Sequence, residues 1–215
     1  MATGDLQMNE VATPTTPAAS TEALYFTNQT PGRLARIDSA GTIWYEAEQF
    51  VITPNGDFTL TNSAGTAEKC FNGSTNGQIT LPASMSYQFD WQVALTNTGT
   101  TSHTWGLLFA GTATLTSGQG IGTGQTATSN ALTAPSSIYS TTLGSVLILT
   151  AASISATENA ILTYRGTIRI NAAGTLIPQI KASAATTGTA KVLANSYFRM
   201  WPYGSDTSNS LGNWS

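Results

Sequence analysis

The residues able to do chemistry are few. The chain has one histidine and one cysteine. His103 follows Ser102, a pairing that invites a hydrolase reading. Successive residues of a strand point to opposite faces, so these two cannot form a nucleophile–base pair there. No G-x-S-x-G elbow occurs in the chain. His103 is therefore expected as a surface histidine at a strand end. Glu46 and Glu48 stand two apart on one face of an expected strand. Paired carboxylates suit glycosidases and calcium sites. Glycosidases draw theirs from separate strands across a cleft, so a solvated strand face is expected here. Arg165 and Arg169 share the polar face of another strand. They suit an anion, carboxylates of a neighbouring subunit, or plain solvent.

Two further patterns carry little chemistry. Gly118, Gly120, Gly122 and Gly124 alternate, but without G-x-G-x-x-G or G-x-x-x-x-G-K-[ST] spacing and without a helical pattern after them. A loop is expected from Ser117 to Ser137. The sequons at Asn28, Asn72 and Asn213 need a secretory route. The start of the chain has no basic region followed by an apolar one. Synthesis in a reducing cytosol is expected, with Cys70 a packed thiol and the sequons silent. No catalytic residue, cofactor or metal site is assigned. The aromatic groups Trp44-Tyr45 and Trp201-Pro202-Tyr203, with Trp214, are candidate subunit or glycan contacts, because an aromatic face packs on a sugar ring or in an interface equally well.

Composition narrows the function classes. The chain has 215 residues, 8 Lys+Arg, 11 Asp+Glu and a net charge of −3. So few basic residues, spread along the chain, do not make a nucleic-acid footprint. One cysteine allows neither an internal disulfide framework nor a Cys-based zinc site. No apolar run approaches 18 residues, so no membrane partner is expected. Threonine stands at about three times its usual share. Its branched, polar side chain suits exposed strand faces.

The elements that must position these residues are strands. From Ser86 to Thr96, Tyr87, Phe89, Trp91, Val93 and Leu95 fall on one face and Gln88, Asp90, Gln92 and Ala94 on the other. From Ile161 to Asn171, Leu162, Tyr164, Ile168 and Ile170 oppose Thr163, Arg165, Thr167 and Arg169. Further strands are predicted at Thr42–Ile52, Phe58–Thr61, Gln78–Leu81, His103–Phe109, Thr112–Thr116, Val146–Ala151, Leu176–Ala182 and Ser196–Trp201. Pro54-Asn55-Gly56-Asp57 reads as a compact turn, with Gly56 free to take positive φ, and Ala172-Ala173-Gly174 as a tight hairpin. The fold class expected is all-β: an antiparallel, jelly-roll-like β-sandwich. The expected organisation is an extended N-terminal arm at 1–22, a small β region at 23–82, the sandwich at 83–204 and a tail at 205–215. The arm lacks period and aromatics. Leu6, Met8 and Val11 are its candidate partner-binding residues, set to enter a groove or add a strand on a partner.

Several segments resemble tailed-bacteriophage and prophage virion structural proteins. They are Cys70-Phe71-Asn72, Gln78–Phe89 (QITLPASMSYQF), Ser102–Ala113 (SHTWGLLFAGTA), Gly166–Gln179 (GTIRINAAGTLIPQ) and Asn195–Arg199 (NSYFR). The resemblance spans about residues 34–215. It implies a virion surface component made in the host bacterial cytoplasm, non-enzymatic and homotrimeric. Capsid decoration (cement) or head fibre is favoured, attached through the arm to another virion protein such as the major capsid protein. The alternative it leaves open is a tail-fibre or receptor-binding module for host surface glycan.

Overall fold

A computed structural model describes residues 10–11, 16–19, 23–27, 34–37, 43–45, 50–61, 65–71, 77–126 and 133–205. Among them there is no α-helix. The chain divides into two compact units, Met1–Glu48 and Gln49–Ser215. The division does not fall near residue 82, because the strands of 50–81 are paired into the sheets of the second unit.

The first unit is a four-stranded sheet of β1 (Glu10–Val11), β2 (Ala23–Thr27), β3 (Leu34–Ile37) and β4 (Ile43–Tyr45), in chain order. β1 runs parallel to β2, with Val11 opposite Thr27, and the other pairs are antiparallel. Tyr25 and Ile37 are buried, with Ala23 packed against them. The expected arm thus contributes a strand to its own chain at Glu10–Val11. Leu6 and Met8 lie outside the described residues.

The second unit is an antiparallel β-sandwich. Its strands are β5 (Phe50–Ile52), β6 (Phe58–Thr59), β7 (Ala67–Lys69), β8 (Ile79–Leu81), β9 (Met85–Asn97), β10 (Trp105–Ala110), β11 (Thr114–Thr126), β12 (Ser136–Ser140), β13 (Leu147–Ile148), β14 (Glu158–Ala172), β15 (Gly174–Ala182), β16 (Ala190–Val192) and β17 (Tyr197–Ser205). The larger sheet runs β12-β11-β14-β9, and the far edge of β9 is shared by β17 and β16. β5 extends the sheet beyond β17, and β6 beyond β16. The smaller sheet is β13-β10-β15-β7, with β8 on the start of β15. From β9 to β16 the chain passes repeatedly between the two sheets of the sandwich.

The alternation in β9 sets the core. Tyr87, Phe89, Trp91, Val93 and Leu95 are all buried. The even-numbered face of β14 joins them through Ala160, Leu162, Tyr164, Ile168 and Ile170. Phe109 of the smaller sheet closes the aromatic cluster between the layers. It sits 5.2 Å from Phe89 edge-on and 5.3 Å from Trp91. Such ring pairs add about 0.5–1.5 kcal/mol each beyond their burial.

Two local expectations are corrected. The alternating glycines form the middle of β11, a 13-residue strand, rather than a loop. At Gly120, Gly122 and Gly124 the neighbours leave no room for a Cβ. A Cβ on Gly120 would lie 2.4 Å from the carbonyl oxygen of Arg165, and one on Gly124 would lie 2.2 Å from that of Leu149. Opposite Gly120 stands Gly166, whose Cβ would meet the Phe89 ring at 2.9 Å. Glycine here marks close approach within a sheet, not mobility. Second, Ala172–Gly174 is no hairpin. β14 and β15 belong to different sheets, and the chain turns a corner packed on the backbone of Thr112 and Ala113. In the Pro54–Asp57 turn, Gly56 does not use the positive φ open to it. The predicted strand Thr42–Ile52 is described as β4 and β5, one in each unit, with Glu46 and Glu48 outside the described residues.

Candidate binding face and a buried ionic cluster

The outer face of the larger sheet carries a row of side chains across six strands. Register places Ser137, Ile121, Arg165, Asp90, Arg199 and Val51 side by side. Asp90 is its hinge. Its Oδ1 accepts from Arg165 Nε at 3.0 Å, and its Oδ2 accepts from Arg199 Nη2 at 2.6 Å and Nε at 3.0 Å. The Tyr197 hydroxyl also donates to Oδ2, at 3.2 Å. Burial pushes the Asp90 pKa upward, but the hydrogen bonds from Arg199 and Arg165 outweigh it and hold the carboxyl below its ordinary value. Arg165 therefore pairs within its own chain.

β17 supplies an aromatic bracket. Tyr197, Arg199 and Trp201 alternate onto one face, and the guanidinium lies 5.7 Å from the Tyr197 ring and 5.8 Å from the Trp201 ring. Each contact contributes about 0.5–1 kcal/mol at an exposed site. Trp201 is half-buried, so the sequence-predicted contact is partly occupied by its own arginine. Tyr203 falls at a register shift between Pro202 and Gly204. Trp44 and Tyr45 lie in β4 of the first unit, opposite Arg36 and Ala35. Trp214 lies outside the described residues. Of these aromatics, Trp44 and Tyr45 belong to the first unit and Trp201 and Tyr203 to the second.

Beside the charged row, an open groove of about 580 Å³ crosses β9, β14, β11 and β12. Gln88, Gln119, Ile121, Tyr139, Arg165 and Thr167 line it. Tyr139 is 69% exposed and Ile121 54%. Sequence reading missed this groove, because β11 from Ser117 onward and the start of β12 were expected to be loop, and no strand was expected at Ile138–Ser140.

His103 is not at the surface. It is buried, bridged to Ser153, with Nε2 2.8 Å from Glu158 Oε2 and Nδ1 2.7 Å from the Thr101 carbonyl oxygen. Trp105 Nε1 and Asn97 Nδ2 donate to the same Glu158 oxygen at 3.2 and 3.4 Å. Asn97 Oδ1 accepts from Thr186 Oγ1 at 2.8 Å and the Gly99 amide at 3.1 Å. Both imidazole nitrogens face acceptors, which favours the doubly protonated ring. Burial lowers the His103 pKa, but the bonds to Glu158 and Thr101 carry it above the ordinary value. Burial raises that of Glu158, and His103, Trp105 and Asn97 bring it below. With both side chains wholly covered, the cluster clasps two loops to β14 and presents nothing to a substrate.

Among the described residues no three His, Cys, Asp or Glu side chains gather to hold a metal. No helix among them is long and apolar enough to cross a membrane. Cys70 is buried, and burial pushes its thiol up. No family model matches the chain, and no curated protein matches it.

Proposed function

We propose that this chain is a bacteriophage virion structural protein of the particle surface, a capsid decoration or head-fibre protein attached through its N-terminal region. The observation that supports it best is the division into a small N-terminal sheet and a larger sandwich. That arrangement suits an attachment module and an outward display module. The polar, Thr-rich outer face and the reduced, buried Cys70 fit a shell component assembled in a cytosol. On this reading the protein is a homotrimer, has no catalytic role and binds a virion protein such as the major capsid protein. Leu6, Met8 and Val11 serve the attachment.

Deletion of residues 2–20 tests it. The sandwich should keep its melting transition in the purified protein, sedimentation should give a trimer, and incorporation into particles should be lost. Full incorporation of the truncated chain, or a monomer at micromolar concentration, would overturn the respective part of the proposal. A second reading, a host-glycan receptor module, is favoured by the groove lined by Tyr139, Gln119 and Arg165.

A further inference from the structure

We infer that the groove across β9, β14, β11 and β12 is a binding site for an acidic saccharide, with Arg165 receiving a sugar carboxylate and Tyr139 packing on a sugar ring. The inference deepens the glycan reading and does not depend on where the protein sits on a particle.

Charge comes first. The row across the sheet holds two guanidiniums, Arg165 and Arg199, around the single carboxylate Asp90. The row therefore keeps one positive charge after internal pairing. The two arginines are not equivalent. Arg199 gives Asp90 two nitrogens and lies between two rings. Arg165 gives only Nε, and its side chain stays 71% exposed at the groove. Asp90 thereby holds Arg165 by one edge and leaves the Nη pair for a second acceptor. That fork matches a planar carboxylate with two parallel hydrogen bonds.

The rest of the groove suits a sugar. Tyr139 lies two strands across and two residues along from Arg165, roughly 12 Å at about 4.8 Å per strand and 3.4 Å per residue. Its exposed ring, with Ile121, offers an apolar platform for the C–H face of a pyranose. Gln119 and Thr167 stand between platform and cation, and Gln88 lies one strand further on β9; all three donate to and accept from hydroxyl groups. The groove is open rather than enclosed, and its volume of about 580 Å³ leaves room for a saccharide lying along the sheet. Gln119, Thr167 and Gln88 project from three adjacent strands in one row, so the groove floor is already formed.

The test is titration of the full chain, by calorimetry and by amide NMR shifts, with acidic tetrasaccharides (tetragalacturonate and a sialylated glycan), the carboxyl-reduced form of each, and inorganic phosphate. At least one acidic glycan should bind, and its carboxyl-reduced form should bind about tenfold or more weakly, as for loss of a charge-assisted bidentate pair. Arg165→Met should weaken the acidic glycan to the level of its reduced form and leave the reduced form unchanged. Tyr139→Ala should weaken both forms, and Val51→Ala neither. Because Tyr139 is exposed, its removal leaves the fold intact, which a thermal melt checks. Binding of none of the acidic glycans, equal binding of acidic and reduced forms, or displacement by phosphate at equal concentration would overturn the inference. Incorporation of Arg165→Met protein into particles reads the virion proposal separately.

Discussion

His103 Nε2 lies 2.8 Å from Glu158 Oε2, with both side chains sealed from solvent. The raised His103 pKa contributes stability that is present below its ordinary 6.5 and is lost as pH rises through the folded value. The lowered Glu158 pKa contributes stability present above its ordinary 4.5, lost as pH falls through the folded value. The sandwich should therefore be most stable between those limits and weaken on either side. Denaturant midpoints from pH 3 to 9 check this. His103→Ala should cost about 3–5 kcal/mol near pH 6, as for a buried charge left unpaired. A Glu158→Gln variant with an unchanged alkaline limb would refute the pairing.

Trp91→Ala should cost about 3–5 kcal/mol, because the ring is fully buried among Phe109, Tyr164 and Phe198. Gln92→Ala, on the opposite face, should cost under about 0.5 kcal/mol. Equal losses in urea melts would contradict the inward register of β9.

Gly166→Ala should destabilise by about 1–3 kcal/mol or more, since the new methyl meets the Gln119 carbonyl oxygen at 2.1 Å and Phe89 beneath it. At Gly56 a Cβ meets nothing within 4 Å, so Gly56→Ala should be near neutral. Thermal melts of the two variants compare them directly.

Asp90→Asn removes the charge between two guanidiniums while keeping its shape. A loss of about 1–3 kcal/mol is expected at neutral pH, toward the lower end because Arg165 is largely and Arg199 partly solvated. The wild-type advantage should vanish as pH falls through the lowered Asp90 pKa, beneath 3.8. A constant difference between the two proteins from pH 7 to pH 2 would count against the bridge.

Much of the candidate site was hidden in the sequence for identifiable reasons. Asp90 sits in the polar phase of β9, and nothing in its neighbours announces partners more than 70 residues away in β14 and β17. Glu158 was legible in principle. It is in step with Ala160, Leu162 and Tyr164 on the buried face, and a carboxylate in that phase requires a partner. The strand was expected to start at Ile161, so the phase was not extended to it.

By itself the sequence determined that the body is β and which faces of β9 and β14 turn inward, because a period of two survives any arrangement of strands. It also determined that chemistry by histidine or cysteine rests on one residue of each kind. Only the tertiary structure decided that the glycine run is a strand, that Ala173 turns a corner between sheets, and that His103 is buried. Each depends on neighbours distant in the chain: the backbone of β14 and Leu149 packed on β11, the separate sheets of β14 and β15, and Glu158 waiting across the core. Alternation along one strand records which side is apolar. It does not record which strand lies alongside, how closely, or what that strand carries.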